Sequence, residues 1–485
     1  MRTWAIRLSG FSQKLVLVLF LLLCGLGLLS GAIQDSFHAQ AFLLAVVCLV
    51  LAWAVLPRLT ALLERMSVKR CCLLLICLCF LVKLAWVLLV QAPIEGDYAT
   101  FWGYANSLAT YEVIDSGRYI ALFPHIFGYA EFLSLFLALF GSSPWVPVLL
   151  NVLLSVCSGY LLFQLCLDWF GQRAACGAIL FWTFCPAQTM YNSLVLSEPL
   201  YTTLMLAFLL LVSRLTACAK RVRMAAAGLL AGGLLRLIQS TRPIGVIWAI
   251  AVVLWLLFLA LPRWKKGEGR ALYLVFLPVM LAAYVLTGPL WQAHMAARIG
   301  EQPSTVPGYS LLVGFHEESA GCWNQEDSDR LYQYSGQPGA TAQWAQEQMK
   351  EDALARITAG GIHYPKLLYE KLRGLLGSDD SCVGYLTIIL RHVRFFRLIC
   401  NGYYYLLLML ALAGTVRLWR ERSGAVCLLV PLYSEGLILA QMLVEVAGRY
   451  HYSLIPMLIL LGRVPVLTEN RDTASFFEQQ TMAGG

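Results

Sequence analysis

The feature that most constrains this chain is a series of long apolar segments separated by short clusters of basic residues. The 485 residues are 59% hydrophobic and only 13% charged, with a mean hydropathy of +0.69. A soluble globular protein is excluded by such a composition. The net charge of +8 does not indicate nucleic-acid binding, because the basic clusters lie between apolar segments, as membrane topology requires. We therefore expect an all-α polytopic membrane protein.

The apolar segments predict about twelve transmembrane helices. A span needs about 20 apolar residues, with roughly 17 as the lower limit. The first segment is interpreted as an uncleaved span and not as a signal peptide, because a second apolar segment follows at once. The expected spans are 15–33, 41–57, 71–91, 146–167, 174–192, 199–213, 224–241, 244–261, 271–290, 398–416, 424–441 and 452–467.

The basic clusters orient these spans. The clusters at 58–70, 214–223, 263–270 and 417–422 fall on one side together with the N-terminus. The positive-inside rule makes that side cytoplasmic and places both termini inside. Counting the apolar run Phe123–Phe140 as a span would put three clusters outside, so it is interpreted as an interfacial or half-inserted helix. Whether it spans is left open by the sequence.

This topology divides the chain into five parts. The expected parts are an N-terminal hairpin at 1–70, a transmembrane core at 71–290 with the first outer loop at 92–145, a long outer loop region at 291–397, C-terminal spans at 398–467 and a polar cytoplasmic tail at 468–485. Amphipathic patterns at 342–357 and 364–376 predict helices that lie along the membrane surface within the outer region.

The first outer loop places Glu95 and Asp97 where the chain leaves the membrane. Apolar residues then recur at helical spacing, which predicts a short amphipathic helix from about Asp97 through Phe101, Tyr104, Ala105 and Leu108. Two interpretations of Asp97 stay open. It caps this helix, or it is a base aimed at a substrate dissolved in the bilayer.

Basic residues are scarce in the short outer loops and the first long one, where the sequence has only Arg118, Arg242 and Arg449. Arg242 and Arg449 are interpreted either as anion-binding groups or as snorkelling interface anchors. The tyrosines beside Arg449 favour the anchor interpretation for that residue. Arg236 lies about a turn and a half below Arg242 on the same predicted helix. It either supports a bound anion from below or satisfies a buried acid such as Glu435.

Acidic and aromatic side chains collect at the same boundary. Glu198 and Tyr201 open one span, where Glu198 before Pro199 also fits an ordinary helix start. Glu445 and Tyr450 flank Arg449 between the last two spans. In the outer region, an aromatic side chain has polar neighbours at Trp323, Asn324 and Asp327. This combination suits sugar or acceptor recognition. The alternative is a packing loop or lid that makes no direct contact.

The order of these motifs resembles the GT-C class of membrane glycosyltransferases. Within it, the chain is similar to the polyprenyl- or dolichyl-phosphate-sugar family of protein O-mannosyltransferases and lipid A aminoarabinose transferases. Over about 71–465, the resemblance rests on the acid-bearing first outer loop and on Asn151…Tyr160…Gly171, Ala175–Pro186, Ser197–Tyr201, Thr241-Arg242-Pro243 and Gly448-Arg449-Tyr450. Many members carry two adjacent acids in that loop, whereas Asp97 is followed by Tyr98. The resemblance fixes no cofactor and leaves a divalent metal open.

The resemblance implies a mannosyltransferase-like enzyme of the plasma membrane. It would move a sugar from polyprenyl phosphate to a glycan, lipid or protein acceptor at the outer face, with inversion. No nucleotide-phosphate cradle is evident, so a lipid-linked donor fits. Asp97 would be the base, and Arg449 and Arg242, with Arg236 behind them, would stabilise the leaving phosphate. The predicted substrate contacts are Glu95, Arg118, Glu198, Tyr201, Trp323, Asn324, Asp327, Glu445 and Tyr450.

Two other functions fit parts of the pattern. A transporter or flippase of lipid-linked or polar substrates would use the charges at span depth, Lys83, Arg236 and Glu435. It would also predict related halves with interrupted spans, which the sequence does not show. An outer-face polysaccharide polymerase or ligase would carry its key arginines in long outer loops and would not need an acid in the first loop.

Overall fold

The computed structural model describes residues 2–114, 117–215, 221–260, 271–420 and 426–462. Every regular element within these ranges is helical, which confirms the all-α prediction. The predicted tail at 468–485, the basic cluster at 263–270, Lys220 and Arg422 lie outside the described residues.

The helices of the N-terminal half form the first spans, the helical part of the first outer loop and the start of the core. In chain order they are α1 (Arg2–Ala32), α2 (Ser36–Glu64), α3 (Val68–Leu89), α4 (Asp97–Thr110), α5 (Arg118–Leu122), α6 (His125–Phe140), α7 (Trp145–Phe170), α8 (Gln172–Thr183), α9 (Pro186–Met190) and α10 (Glu198–Leu215).

The C-terminal half supplies the remaining spans and the helices of the outer region. They are α11 (Arg221–Thr241), α12 (Gly245–Leu254), α13 (Leu277–Ile299), α14 (Gly308–Gly314), α15 (Gln325–Ser335), α16 (Ala342–Thr358), α17 (Tyr364–Leu376), α18 (Ser381–Tyr385), α19 (Val393–Arg420), α20 (Leu429–Leu443) and α21 (Leu454–Leu461). Helices α16 and α17 form at the two predicted amphipathic segments. Short π or 3₁₀ turns extend or connect several of these helices, at Tyr191–Ser193, Trp255–Leu259, Leu272–Phe276, Val426–Leu428 and Gly448–His451.

Nine helices in the described ranges are long and apolar enough to cross a bilayer, so the chain is a multi-pass membrane protein. They correspond to nine of the twelve expected spans. The segment expected at 244–261 forms a shorter apolar helix, Gly245–Leu259. Of the one expected at 452–467, the described part forms α21. The apolar helix α6 has 16 residues, about 24 Å against a hydrocarbon core of about 30 Å, which favours an interfacial or half-inserted position.

The prediction of one continuous span at 174–192 is wrong, because the helix is interrupted at Pro186. This proline begins α9, and α8 ends at Thr183. Proline has no N–H to donate and its ring clashes with the carbonyl four residues earlier. That carbonyl belongs to Trp182, and it accepts a hydrogen bond from Lys83 Nζ at 3.2 Å, while Thr189 Oγ1 lies 2.7 Å from the same nitrogen. The buried Lys83 thus supplies the hydrogen bond that the Trp182 carbonyl loses at the interruption.

Close backbone contact sets α6 against α11. A Cβ built at Gly128 would lie 2.2 Å from the Ser240 carbonyl oxygen, so only glycine fits this crossing. The contact brings the start of α6, at His125, toward the end of α11, which Arg242 follows. The amphipathic helix α4 packs on α6 through residues that the sequence predicted to be apolar-facing, Phe101, Ala105 and Leu108.

The outer region is tied to the segment that precedes Arg449. Glu445 N donates to the Ser310 carbonyl at 2.7 Å, and Val446 N donates to the Gly321 carbonyl at 2.9 Å. The buried Lys371 Nζ donates to the carbonyls of Gly314 and Val444 at 2.7 and 2.8 Å. Burial lowers the pKa of Lys371 to about 8. These bonds hold the chain at 444–446 beside α14.

Candidate active site

A cavity of about 990 Å³ lies where the first outer loop, the ends of α11 and α20, and the outer region meet. This volume is at the upper end of the range typical of small-molecule sites. Its walls include seven residues singled out in the sequence: Asp97, Tyr201, Arg236, Arg242, Glu445, Arg449 and Tyr450. Trp323 lines it from the outer region.

Asp97 faces an arginine and does not cap its helix. Gly96 occupies the N-cap position with φ of 54°, a backbone conformation that favours glycine, and Asp97 is the first residue of α4. The Asp97 Oδ2 atom lies 2.6 Å from Arg449 Nη2. The aspartate side chain is 56% exposed. The carboxylate therefore stays accessible from the cavity while one oxygen is paired.

Arg449 is held in the 3₁₀ turn Gly448–His451 and is surrounded by tyrosines. Its Nη1 donates to the Tyr385 hydroxyl at 3.1 Å, and its guanidinium carbon lies 5.8 Å from the ring centroids of both Tyr385 and Tyr450. Burial alone would lower the pKa of Arg449, but the facing tyrosines and carboxylates raise it well above its usual value. The Nε atom is buried and makes no hydrogen bond among the described residues.

The turn that carries Arg449 is anchored from behind. His451 Nδ1 donates to the Leu375 carbonyl at 2.6 Å, and its Nε2 lies 3.2 Å from Asp379 Oδ1. A Cβ at Gly448 would lie 2.6 Å from Ser381 Oγ, so the turn fits closely against α18. These contacts position the guanidinium opposite Asp97.

A second acid–arginine pair lies deeper in the site. Arg242 Nη2 lies 2.5 Å from Oε1 of Glu198, whose side chain is fully buried. The Arg242 guanidinium carbon is 5.1 Å from the Tyr450 ring centroid and 5.9 Å from that of Tyr201. Its Nε is also buried without a hydrogen-bond partner in the described structure, as is Glu198 Oε2. The guanidinium groups of Arg242 and Arg449 thus both lie beside the ring of Tyr450.

Glu445 and His125 complete the polar wall. Glu445 Oε1 accepts a hydrogen bond from the Tyr450 hydroxyl at 3.4 Å, and burial raises the pKa of this glutamate against the opposing effect of Arg449. Burial, with Arg242 and Arg449 nearby, lowers the pKa of His125 to about 3, so this imidazole is neutral at physiological pH. Sequence reasoning missed His125 and Tyr385. Neither belongs to a spaced motif, and His125 lies within an apolar run.

Five predicted contacts lie apart from the cavity lining. One of them is Glu198, which pairs with the lining residue Arg242. Glu95 is exposed and Arg118 Nε lies 3.1 Å from Glu301 Oε2, with Nη1 bound to the Ala340 carbonyl. Asn324 is the N-cap of α15. Asp327 is fully buried and paired with Arg356 at 2.8 Å, so it stabilises the outer region internally.

Arg236 lines the deep end of the cavity and does not pair with Glu435. Its Nη2 donates to the Tyr284 carbonyl at 2.6 Å, and its guanidinium carbon lies 4.6 Å from the Tyr284 ring centroid. Its Nε is a third buried donor that no acceptor meets within the described ranges. The alternative in which Arg236 satisfies Glu435 is therefore wrong.

The Asp97 carboxylate is paired with the Arg449 guanidinium. In the part of the chain that the structure describes, no group of three or more His, Cys, Asp or Glu side chains is arranged to hold a metal. The donor set that hard cations prefer, several carboxylate and carbonyl oxygens around one point, is not assembled here.

Comparison with known proteins gives one structural likeness. No protein-family model matches the chain, and no curated protein matches it. A crystal structure of ArnT from Cupriavidus metallidurans bound to undecaprenyl phosphate aligns with a TM-score of 0.30 and 15% identity, covering 75% of this chain and 76% of that one.

Proposed function

We propose that this chain is an integral membrane glycosyltransferase that moves a sugar from a polyprenyl-phosphate donor to an acceptor hydroxyl. One observation carries the proposal. Arg242 and Arg449 line one cavity, each is held by a carboxylate, and each keeps a buried Nε–H donor that meets no acceptor among the described residues. Buried polar groups in proteins nearly always have a hydrogen-bond partner, and a bound ligand can supply it. A phosphate oxygen is a fitting one, since guanidinium groups bind phosphate with directed, charge-assisted hydrogen bonds.

The deep wall of the cavity suits the prenyl chain of such a donor. It is formed by apolar residues on helices that reach into the membrane, among them Ile244, Ile247, Leu437 and Ala440. A lipid entering on this side would bring its phosphate to the two arginines and its sugar toward Asp97. Because the substrate arrives dissolved in the bilayer, a soluble nucleotide-binding domain is not needed.

The reaction is a single displacement at the anomeric carbon. Asp97 takes the proton of the acceptor hydroxyl as its oxygen bonds to that carbon. The bond from the anomeric carbon to the phosphate oxygen breaks, and its electron pair leaves with the polyprenyl phosphate. This phosphate gains negative charge, which Arg242 and Arg449 stabilise because they are already fixed in place. Attack opposite the leaving group inverts the anomeric centre.

Donor binding also frees the proposed base. In the unliganded protein the Asp97 carboxylate pairs with Arg449. When a donor phosphate binds Arg449, this guanidinium divides its hydrogen bonds between two anions, and the Asp97 side chain is freer to turn toward an acceptor hydroxyl.

Transport is the weaker alternative. Of the three charges at span depth, Lys83 donates to the carbonyl left free by the interruption at Pro186, and Arg236 bonds to Tyr284.

We place the active site at the outer face of the plasma membrane, with the termini inside, on the distribution of the basic clusters. Gly103 on α4 is exposed and a Cβ there meets no neighbour. A Gly103→Cys variant should therefore react with an impermeant thiol reagent from outside, and labelling only from the cytoplasm would contradict this orientation.

The activity is tested with purified protein and a panel of polyprenyl-phosphate sugars, by following release of polyprenyl phosphate. Asp97→Asn should lose turnover, whereas Arg242→Gln and Arg449→Gln should also lose donor affinity. The matched controls are Asp168→Asn and Arg214→Gln, which alter an ion pair of 2.8 Å outside the cavity. Turnover that survives in Asp97→Asn, or losses of the same size in the controls, would contradict the assignment.

A further inference from the structure

The cavity has two chemically different halves. All of its charged lining residues come from α4, the end of α11 and the 445–449 segment: Asp97, Arg236, Arg242, Glu445 and Arg449. The other half is lined by residues between 291 and 346, a range that the structure describes throughout. None of those lining residues is charged. We call this second wall the neutral half.

Three charged residues of this region bond away from the cavity. Arg298 bonds to the carbonyl of Leu108 at 2.6 Å, Glu301 pairs with Arg118 at 3.1 Å, and Asp327 pairs with Arg356. The fold thus keeps fixed charge away from the neutral half, although the surrounding segment is rich in charged residues.

What the neutral half presents is aromatic, amide and hydroxyl surface. Trp323 and Tyr332 are 59% and 55% exposed, and both line the cavity with Trp291 and the exposed Gln292. Large aromatic side chains that stay exposed in a cavity offer a flat apolar face beside a polar edge. An amide offers both a donor and an acceptor. This combination matches a ring that has apolar C–H faces and hydroxyl edges.

We propose that the neutral half is the acceptor subsite and that the acceptor is an uncharged carbohydrate chain. The inference rests on the proposed function, since it assigns the acceptor of the same cavity. A phosphorylated or otherwise anionic acceptor would find no cation on this wall, and its nearest cations are those that hold the donor phosphate. An extended peptide binds through hydrogen bonds to backbone N–H and C=O groups, whereas the exposed lining of the neutral half consists of aromatic side chains.

Binding measurements on the full-length protein in lipid nanodiscs test this. The probes are neutral mannose and N-acetylglucosamine trisaccharides, a diphosphorylated glucosamine disaccharide and a serine-rich peptide, each titrated by calorimetry. We expect the highest affinity for a neutral trisaccharide, and a Kd at least tenfold higher in Trp323→Ala and in Tyr332→Ala. Tyr111→Ala, a change at a 62% exposed tyrosine outside the cavity lining, should bind as the wild type does.

A converse variant adds a second test. Gln292→Lys places a cation on the neutral half and should lower the Kd for the diphosphorylated disaccharide at least threefold. The proposal is overturned if the phosphorylated disaccharide or the peptide binds best to the wild type, if no neutral trisaccharide binds, or if the aromatic variants bind unchanged. Undecaprenyl phosphate is titrated in parallel, so that failure of the donor site is seen separately from failure of the acceptor site.

Discussion

Replacing Asp97 by asparagine should separate donor binding from catalysis. The substitution keeps the shape of the side chain. It removes the carboxylate charge that pairs with Arg449, whose Nη2 lies 2.6 Å from Asp97 Oδ2. Because the aspartate is more than half exposed, the pair contributes only about 0.2–1 kcal/mol. Asp97 also repels a bound phosphate. Donor affinity in Asp97→Asn should therefore stay equal or rise by up to about fivefold, a change that corresponds to about 1 kcal/mol.

Catalysis should fall much further in the same variant. A positioned general base contributes roughly 10² to 10⁴ in rate, so kcat should fall by that factor while the Kd of the donor does not increase. Equilibrium titration with a polyprenyl-phosphate sugar gives the Kd, and release of polyprenyl phosphate under saturating donor gives kcat. A clear loss of donor affinity would refute the reasoning, since Asp97 would then be holding the donor and not competing with it. Asp168→Asn, in the remote pair with Arg214, should leave both quantities unchanged.

Three further predictions concern the groups around this pair. Burial raises the pKa of Glu445, so deprotonation as the pH rises adds negative charge near Arg449; affinity for a phosphodiester donor should fall with pH over that range, and Glu445→Gln should abolish the slope. The pKa of Lys371 is lowered to about 8 from 10.5, so the unfolded state binds more protons between these values and this group's contribution to stability increases with pH. The difference in thermal stability between wild type and Lys371→Met should therefore change from pH 8 to pH 10, and a constant difference would contradict the assigned pKa. Gly128→Ala places a Cβ against the Ser240 carbonyl, which should separate α6 from α11 and lower thermal stability by more than Gly233→Ala, whose Cβ meets open space.

Most of the spans could be predicted because the length of an apolar segment is visible directly in the sequence. Nine expected segments form helices long enough to cross a bilayer, and α4 begins at the predicted Asp97. The interruption has a local signal in Pro186 and the polar Gln188 and Thr189 that follow it, but the apolar segment before it still favours one continuous span. Its compensation comes from Lys83, about a hundred residues earlier, and such a contact depends on packing and not on local pattern.

The candidate site was predicted in part for the same reason. Charges beside apolar segments are uncommon, so single residues such as Asp97, Glu198, Arg242 and Arg449 indicate a site from the sequence alone. Their pairing joins residues about 350 apart for Asp97 with Arg449 and about 44 apart for Glu198 with Arg242, and no spacing rule predicts either. Asp327 shows the opposite error. A polar residue beside Trp323 suggested sugar recognition, but burial against Arg356 gives it an internal role.

The central claim, that Arg242 and Arg449 bind a lipid phosphate, is tested most directly by equilibrium binding. The measurement is the Kd of undecaprenyl phosphate for the wild type and for Arg242→Gln/Arg449→Gln, in nanodiscs, with Arg214→Gln as the control. Each charge-assisted hydrogen bond contributes about 1.5–3 kcal/mol, so the double variant should bind at least about 100-fold more weakly. An unchanged Kd in the double variant would contradict the account.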